Sequence, residues 1–152
     1  MNKIYTYSEF QSITQNQLVT ETLWEYFNTA DELDKLTSNK RSNVNKSNIL
    51  KKVKHNGYTY YLTDYMSDDV FLGEIFVFDK EGNFVGENNI VKWRGESDKY
   101  LEGSVSVHPD HRRKGIATQM YDMAEEYFNK KFKPSPTNTQ DAKKFWKSRK
   151  NN

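Results

Sequence analysis

Twelve residues, Val107-His-Pro-Asp-His-Arg-Arg-Lys-Gly-Ile-Ala-Thr118, crowd three cations, a glycine and a small residue between an apolar run, LEGSVSV, and an amphipathic one. A helix N-terminus carries unpaired N–H groups and the positive end of the helix dipole, so it favours phosphate. Gly115 lets a bulky anion approach the backbone, Ala117 keeps the next position small, and Arg112, Arg113 and Lys114 add charge. In chemical terms this is a pyrophosphate cradle. Its single glycine makes it neither a Walker loop nor a dinucleotide fingerprint, and a plain basic strand-to-helix turn has the same letters.

Groups able to move a proton lie near it. Glu102 and Glu74 fall on expected central strands, with Glu87 as a third choice, although a solvated strand glutamate has the same appearance. Strand parity sets Glu102 on the face opposite Val105 and Val107 unless a bulge intervenes. His108 adjoins the turn and could shuttle a proton. His55, His108 and His111 show no ligand spacing, and no metal is expected.

The elements that position these groups follow from periodicity. Lys3 to Tyr7 reads as a strand, and Ser8 to about Thr37 as a helix marked by Leu18, Leu23, Leu33 and Leu36. The polar segment 37–48 reads as a loop, with Ser47 capping a short helix through Val53. From Gly57 the period becomes two. Segments 58–63, 70–78, 84–93 and 100–107 read as strands, the second and third joined by a hairpin at Asp79-Lys-Glu-Gly-Asn83. A helix from Ile116 to about Lys131 follows, then a strand squeezed into about Phe132 to Thr137 with two prolines. A last short helix begins near Thr137 or Thr139, where Thr137 and Gln140 fit a capping box. This order gives one α+β (mixed α/β) domain over residues 1–152.

Composition sets bounds. The chain has no cysteine, which excludes disulfides and thiolate catalysis and fits a reducing compartment. No apolar run approaches a membrane span and no signal peptide is evident, so a soluble cytoplasmic protein is expected. Residues 101–152 hold 11 Lys+Arg against 6 Asp+Glu, whereas residues 1–100 hold 12 against 15. A basic C-terminal third suits an anionic partner, either a phosphate-bearing cofactor or nucleic acid; a solvated lysine face gives the same count. Trp93, Tyr100, Phe145 and Trp146 read as core aromatics rather than stacking platforms. The acidic segment 63–69 could draw a cationic acceptor.

Val105, Val107, Pro109, Arg112, Gly115 and Ala117 together resemble the acyl-CoA-binding motif of the GNAT superfamily of N-acetyltransferases. That motif is Gln or Arg, two residues, Gly, one residue, then Gly or Ala, with a strand before it and a helix after it. TQDAKKFWKSR, 139–149, is similar to the family's second motif through Ala142 and Phe145. The resemblance implies a central, mostly antiparallel sheet with N-terminal helices, a strand–phosphate turn–helix unit and a short C-terminal helix. It implies acetyl-CoA or a related acyl-CoA as donor. The backbone from Arg113 through Lys114, Gly115 and Ile116 to Ala117 would hold the pyrophosphate, beside Arg112 and Thr118. The strand at Val105 and Val107 would pair with the pantetheine, and Thr139 and Trp146 would close the cleft. An amine on a protein, small molecule or nucleobase would attack the thioester directly.

Thr139 stands where the family has asparagine, with Asn138 one residue early, and Trp146 stands where it has a tyrosine acid. An indole N–H is a donor but no usable acid. Either Tyr121 or Tyr127 serves, or the thiolate leaves unassisted, as a thiol pKa of about 8.5 permits. The family's closing hairpin is expected to be absent, a shortening similar to compact GNAT-like proteins of bacteriophages. Two rival readings accompany the acyltransferase: a non-catalytic interaction, virion or anti-defence protein on this fold, and a nucleic-acid-modifying enzyme.

Overall fold

The structure, a computed structural model, describes residues 29–65, 67, 70–92, 99–133 and 140–150. The expected strand at Lys3 to Tyr7 and most of the expected first helix lie outside these residues.

Helix α1 spans Ala30–Lys46 and begins afresh rather than continuing from Ser8, because Thr29 caps it: its Oγ1 accepts from the Glu32 amide at 3.2 Å. It then runs straight through the polar segment expected as a loop. The reason is its inner stripe, Leu36, Lys40, Asn43 and Val44, all buried. The Lys40 ammonium bonds Glu87 Oε2 at 2.6 Å and lies 5.3 Å from the Phe84 ring centroid. A stripe with two polar members has helical spacing but no hydrophobic signature, so tertiary packing decides what propensity does not.

Ser47 ends this helix instead of starting another. Its N–H and its hydroxyl both donate to the Val44 carbonyl, and the segment expected to be helical through Val53 is strand β1, Ile49–His55. Asn56 and Gly57, at φ 51° and 84°, turn it into β2, Tyr58–Thr63. Two positive φ values in a two-residue loop match the twist of paired strands, and asparagine and glycine tolerate them.

Strands β3 (Phe71–Phe78), β4 (Phe84–Lys92), β5 (Tyr100–Val107) and β6 (Lys131–Phe132) complete one sheet, in order β1-β2-β3-β4-β5-β6. All pairs are antiparallel except β5 with β6. The β3–β4 hairpin forms at 79–83 as its residues suggest: the Asp79 carboxylate accepts the Glu81 and Asn83 amides at 2.9 Å each, and Gly82 takes φ 86°. Helix α2, Ile116–Phe128, stops short of Lys131 because Asn129 turns left-handed at φ 54° and caps it. Helix α3 is Gln140–Lys150. Among the described residues no helix is long and apolar enough to cross a membrane.

The sheet has two unlike faces. Leu62, Ile75, Val77, Ile90 and Leu101 meet Ile116, Met120, Met123 and Ala124 of α2 in the main core. On the other face Phe76, Phe78 and Phe84 meet Leu36 and Val44 of α1. Each of these side chains larger than alanine contributes roughly 1.5–3 kcal/mol by leaving water.

The buried Lys40–Glu87 pair ties α1 to the sheet. We predict that Lys40→Ala alone costs about 3–5 kcal/mol, because it leaves a buried carboxylate uncompensated, whereas Lys40→Met with Glu87→Leu is near neutral. Urea denaturation of the two variants checks this, and equal losses in both would contradict it.

Candidate functional site

The phosphate-type turn is built as follows. Strand β5 ends at Val107, a short 3-10 turn occupies Pro109–His111, and α2 starts after Gly115. Gly115 is the N-cap at φ 81°, and a side chain there would point into open space. It offers no side-chain cap, so the first-turn amides of Ile116, Ala117 and Thr118 face outward without an intrahelical acceptor. Arg113 is also left-handed, at φ 62°. Arg112, Arg113 and Lys114 are exposed around this helix end, and α2 has no acidic residue in its first turn. Open amides, a dipole end and three cations are features that favour an anion.

The strand leading into the turn is open along one edge. Strand β4 pairs with β5 without a register break from Lys92↔Leu101 to Gly86↔Val107. Among the described residues β6 pairs with β5 only at Tyr100↔Lys131 and Leu101↔Phe132. The Leu101 carbonyl accepts from the Lys133 amide at 2.9 Å, and the Val107 carbonyl accepts from Arg112 Nε at 3.0 Å. Both carbonyls therefore point away from β4. Since backbone groups alternate along a strand, the N–H and C=O of Gly103 and Val105 point the same way, into the fork where β6 leaves. Val105 and Val107 themselves pack against the α2-face core.

The unbroken register keeps parity, so Glu102 lies on the α1 face. Glu74 is aligned with Asn89, which is aligned with Ser104; Glu87 is aligned with Ser106. All three glutamates share one face and all are buried, Glu74 to 1% exposure. Glu87 is committed to Lys40. Burial, and then the nearby Glu74 carboxylate, push the Tyr65 phenol above its ordinary value, which sets Tyr65 beside Glu74.

His108 is placed differently from a free base. Its Nδ1 accepts from the Asp110 amide at 3.1 Å, an arrangement that needs the neutral ring with its proton on Nε2. Partial burial holds its pKa below 6.5 against the opposing pull of the Asp110 carboxylate, helped by His111 and Arg112. His111 Nδ1 lies 2.8 Å from the Tyr58 hydroxyl and pins the turn to β2. Sequence reasoning missed that link, and no local signal carries it.

The aromatic residues serve packing. Trp146 of α3 meets the Tyr121 ring at 5.0 Å and Phe145 at 5.5 Å, and Arg149 anchors α3 to Glu125 of α2 at 2.6 Å. Burial pushes the Tyr121 phenol well above its ordinary range, so it holds its proton. Tyr127 is 44% exposed on α2. Lys143, Lys144 and Lys147 are exposed on α3. Trp93, Asn138, Thr139 and the Thr137–Gln140 capping box lie outside the described residues. A separate concavity of about 560 Å³, lined by Lys99, Asp122, Glu125, Asn129 and Lys131 among others, lies at the far end of α2 and shares no residue with the turn.

Residues 44–147 of the 152 match the family model described as the acetyltransferase (GNAT) family. No curated protein matches the chain.

A histidine whose folded pKa is depressed stabilises the fold above its unfolded value of about 6.5, and that stability is lost as pH falls below it. We predict that thermal stability declines from pH 6.5 to 5 less steeply in His108→Asn, whose amide oxygen can still cap the Asp110 amide. Parallel melting curves for the two proteins would refute this assignment.

Proposed function

We propose that this chain, which belongs to the GNAT acetyltransferase family, transfers an acyl group, acetyl foremost, from acyl-CoA to an amine. Acyl transfer from acyl-CoA is the family's general chemistry. One observation supports this reading of the site: an open β-strand edge runs directly into an uncapped helix N-terminus through a left-handed glycine. An extended amide-bearing arm suits the edge and a pyrophosphate suits the amides, so the residues present fit coenzyme A.

When bound, acetyl-CoA would supply an activated thioester whose carbonyl carbon an amine can attack, with the C–S bond broken and the thiol released. The chain's contribution is as follows. The amides from Arg113 to Ala117, with Arg112, Lys114 and Thr118 around them, hold the pyrophosphate. The N–H and C=O groups of Gly103 and Val105 align the arm. Glu102, or Glu74 behind it, accepts the proton that the attacking amine gives up, since both lie buried on the α1 face of the central strands. His108, with Nδ1 occupied, is better suited to hold the turn.

Trp146 supports a second reading. It stands at the family's tyrosine-acid position and is used for packing, which suits a protein that keeps the fold and the CoA site but not the chemistry.

One titration and one assay separate the readings. Wild type should bind acetyl-CoA, and Gly115→Val should weaken binding at least tenfold, since a β-branched side chain is strained at φ 81° and enters the anion's approach. With an amine panel, thiol release should exceed buffer and fall by roughly 10²–10⁴ in Glu102→Gln or Glu74→Gln. Absence of binding at millimolar cofactor would end the CoA assignment. Binding without thiol release would select the non-catalytic protein.

A further inference from the structure

Asn88 lies in β4, aligned with Val105 of β5, and is completely buried. Neither its Nδ2 nor its Oδ1 has a hydrogen-bond partner among the described residues. Leaving such a group buried and unpaired costs about 1–3 kcal/mol per polar atom, so an amide kept there calls for a partner. Asn43 Nδ2 and Ser106 Oγ are also without partners, but they belong to the α1 side of the sheet.

The surroundings of Asn88 say where a partner would come from. Its Oδ1 lies 2.7 Å from the point a Cβ of residue 103 would occupy, and the ring edges of Phe132 and Tyr121 lie 3.1 and 3.2 Å from the same point. Gly103 therefore has no side chain because Asn88 fills that space. Phe132 belongs to the last β5–β6 pair, so this spot is the apex of the fork. The Gly103 backbone points into the fork, and the Asn88 amide stands directly above Gly103.

Resting on the CoA reading above, we propose that Asn88 is a substrate-contacting residue whose Nδ2 donates to the carbonyl of the acyl thioester at the apex of the fork. It is a donor fixed in place by its own burial. It would orient the carbonyl and bear part of the negative charge that grows on that oxygen as the amine attacks. CoA itself, lacking the carbonyl, would leave the amide unpaired, so the site would prefer the acylated form. Nothing apolar at position 88 could make that distinction.

The test compares wild type with Asn88→Leu, of similar volume, and with Asn88→Ser should the leucine variant not fold. The probe is acetyl-CoA carrying ¹³C at the thioester carbonyl. In wild type the bound C=O stretch should move to lower frequency than in free cofactor, and in the variant it should return toward the free value. The preference for acetyl-CoA over CoA, read by calorimetry, should fall roughly three- to tenfold, the range expected of one hydrogen bond. Affinity for CoA itself should change less than about twofold, because the pyrophosphate turn is untouched. The leucine variant should also be at least as stable as wild type, because a buried unpaired amide has been removed. An unshifted carbonyl in wild type, or the same shift and preference in both proteins, overturns the proposal while leaving the CoA assignment standing. No acetyl-CoA binding by wild type overturns both.

Discussion

The site depends on one strand being held on one side only. Strand β5 is paired with β4 from Leu101 to Val107, yet among the described residues β6 pairs with it only at Tyr100 and Leu101. Unpaired backbone groups in the middle of a sheet are costly unless water or a ligand meets them. Here they are concentrated at Gly103 and Val105, and Arg112 covers the Val107 carbonyl beyond them. Because only eight residues separate Val107 from α2, with Gly115 as an N-cap that offers no side-chain cap, the open edge and the open helix end form one row of donors. Longer pairing of β6 would close the row.

That row divides two environments. Odd-numbered residues of β5 turn toward the apolar core under α2, where the one polar intruder described is Asn88; even-numbered residues turn toward α1, where Glu74, Glu87 and Glu102 lie buried. A ligand lying in the plane of the sheet can thus have its arm steadied from one face and its reacting end served from the other. The buried Lys40–Glu87 pair joins the Leu36 and Val44 contacts in holding α1 over the carboxylate face. It also commits the Glu87 carboxylate to Lys40.

Much of this was legible in the sequence. The four strands from Tyr58 to Val107 announce themselves by period two and by the turn residues between the middle pair, and the phosphate turn by Gly115 following three cations. What was hidden has physical causes. Helix α1 could not be read past Thr37 because its buried stripe uses Asn43 and Lys40, and the burial of Lys40 makes sense only opposite Glu87, 47 residues away. Strand β1 was hidden by its lysines, although Asn56-Gly57 did carry a hairpin signal. Asn88 has no periodic signature at all. The clue lay in its neighbour: a glycine inside a strand, Gly103, marks a close approach. A strand beside β5 was expected at about Phe132 to Thr137, but where its pairing with β5 stops is set by tertiary packing that the residues do not display.

The central claim is that β5's open edge and α2's first turn form a single coenzyme A site. Residue-resolved amide exchange by NMR, with and without CoA, tests it most directly. Without ligand, the Gly103 and Val105 amides should exchange far faster than those of Glu102 and Ser104, although all four sit in one central strand. With CoA, Gly103 and Val105 should slow together with Ile116 to Thr118, while Glu102 and Ser104, already bonded to β4, stay as they were. Uniform protection along β5 before ligand is added, or protection by bound CoA that spares both Gly103–Val105 and the start of α2, would contradict the account.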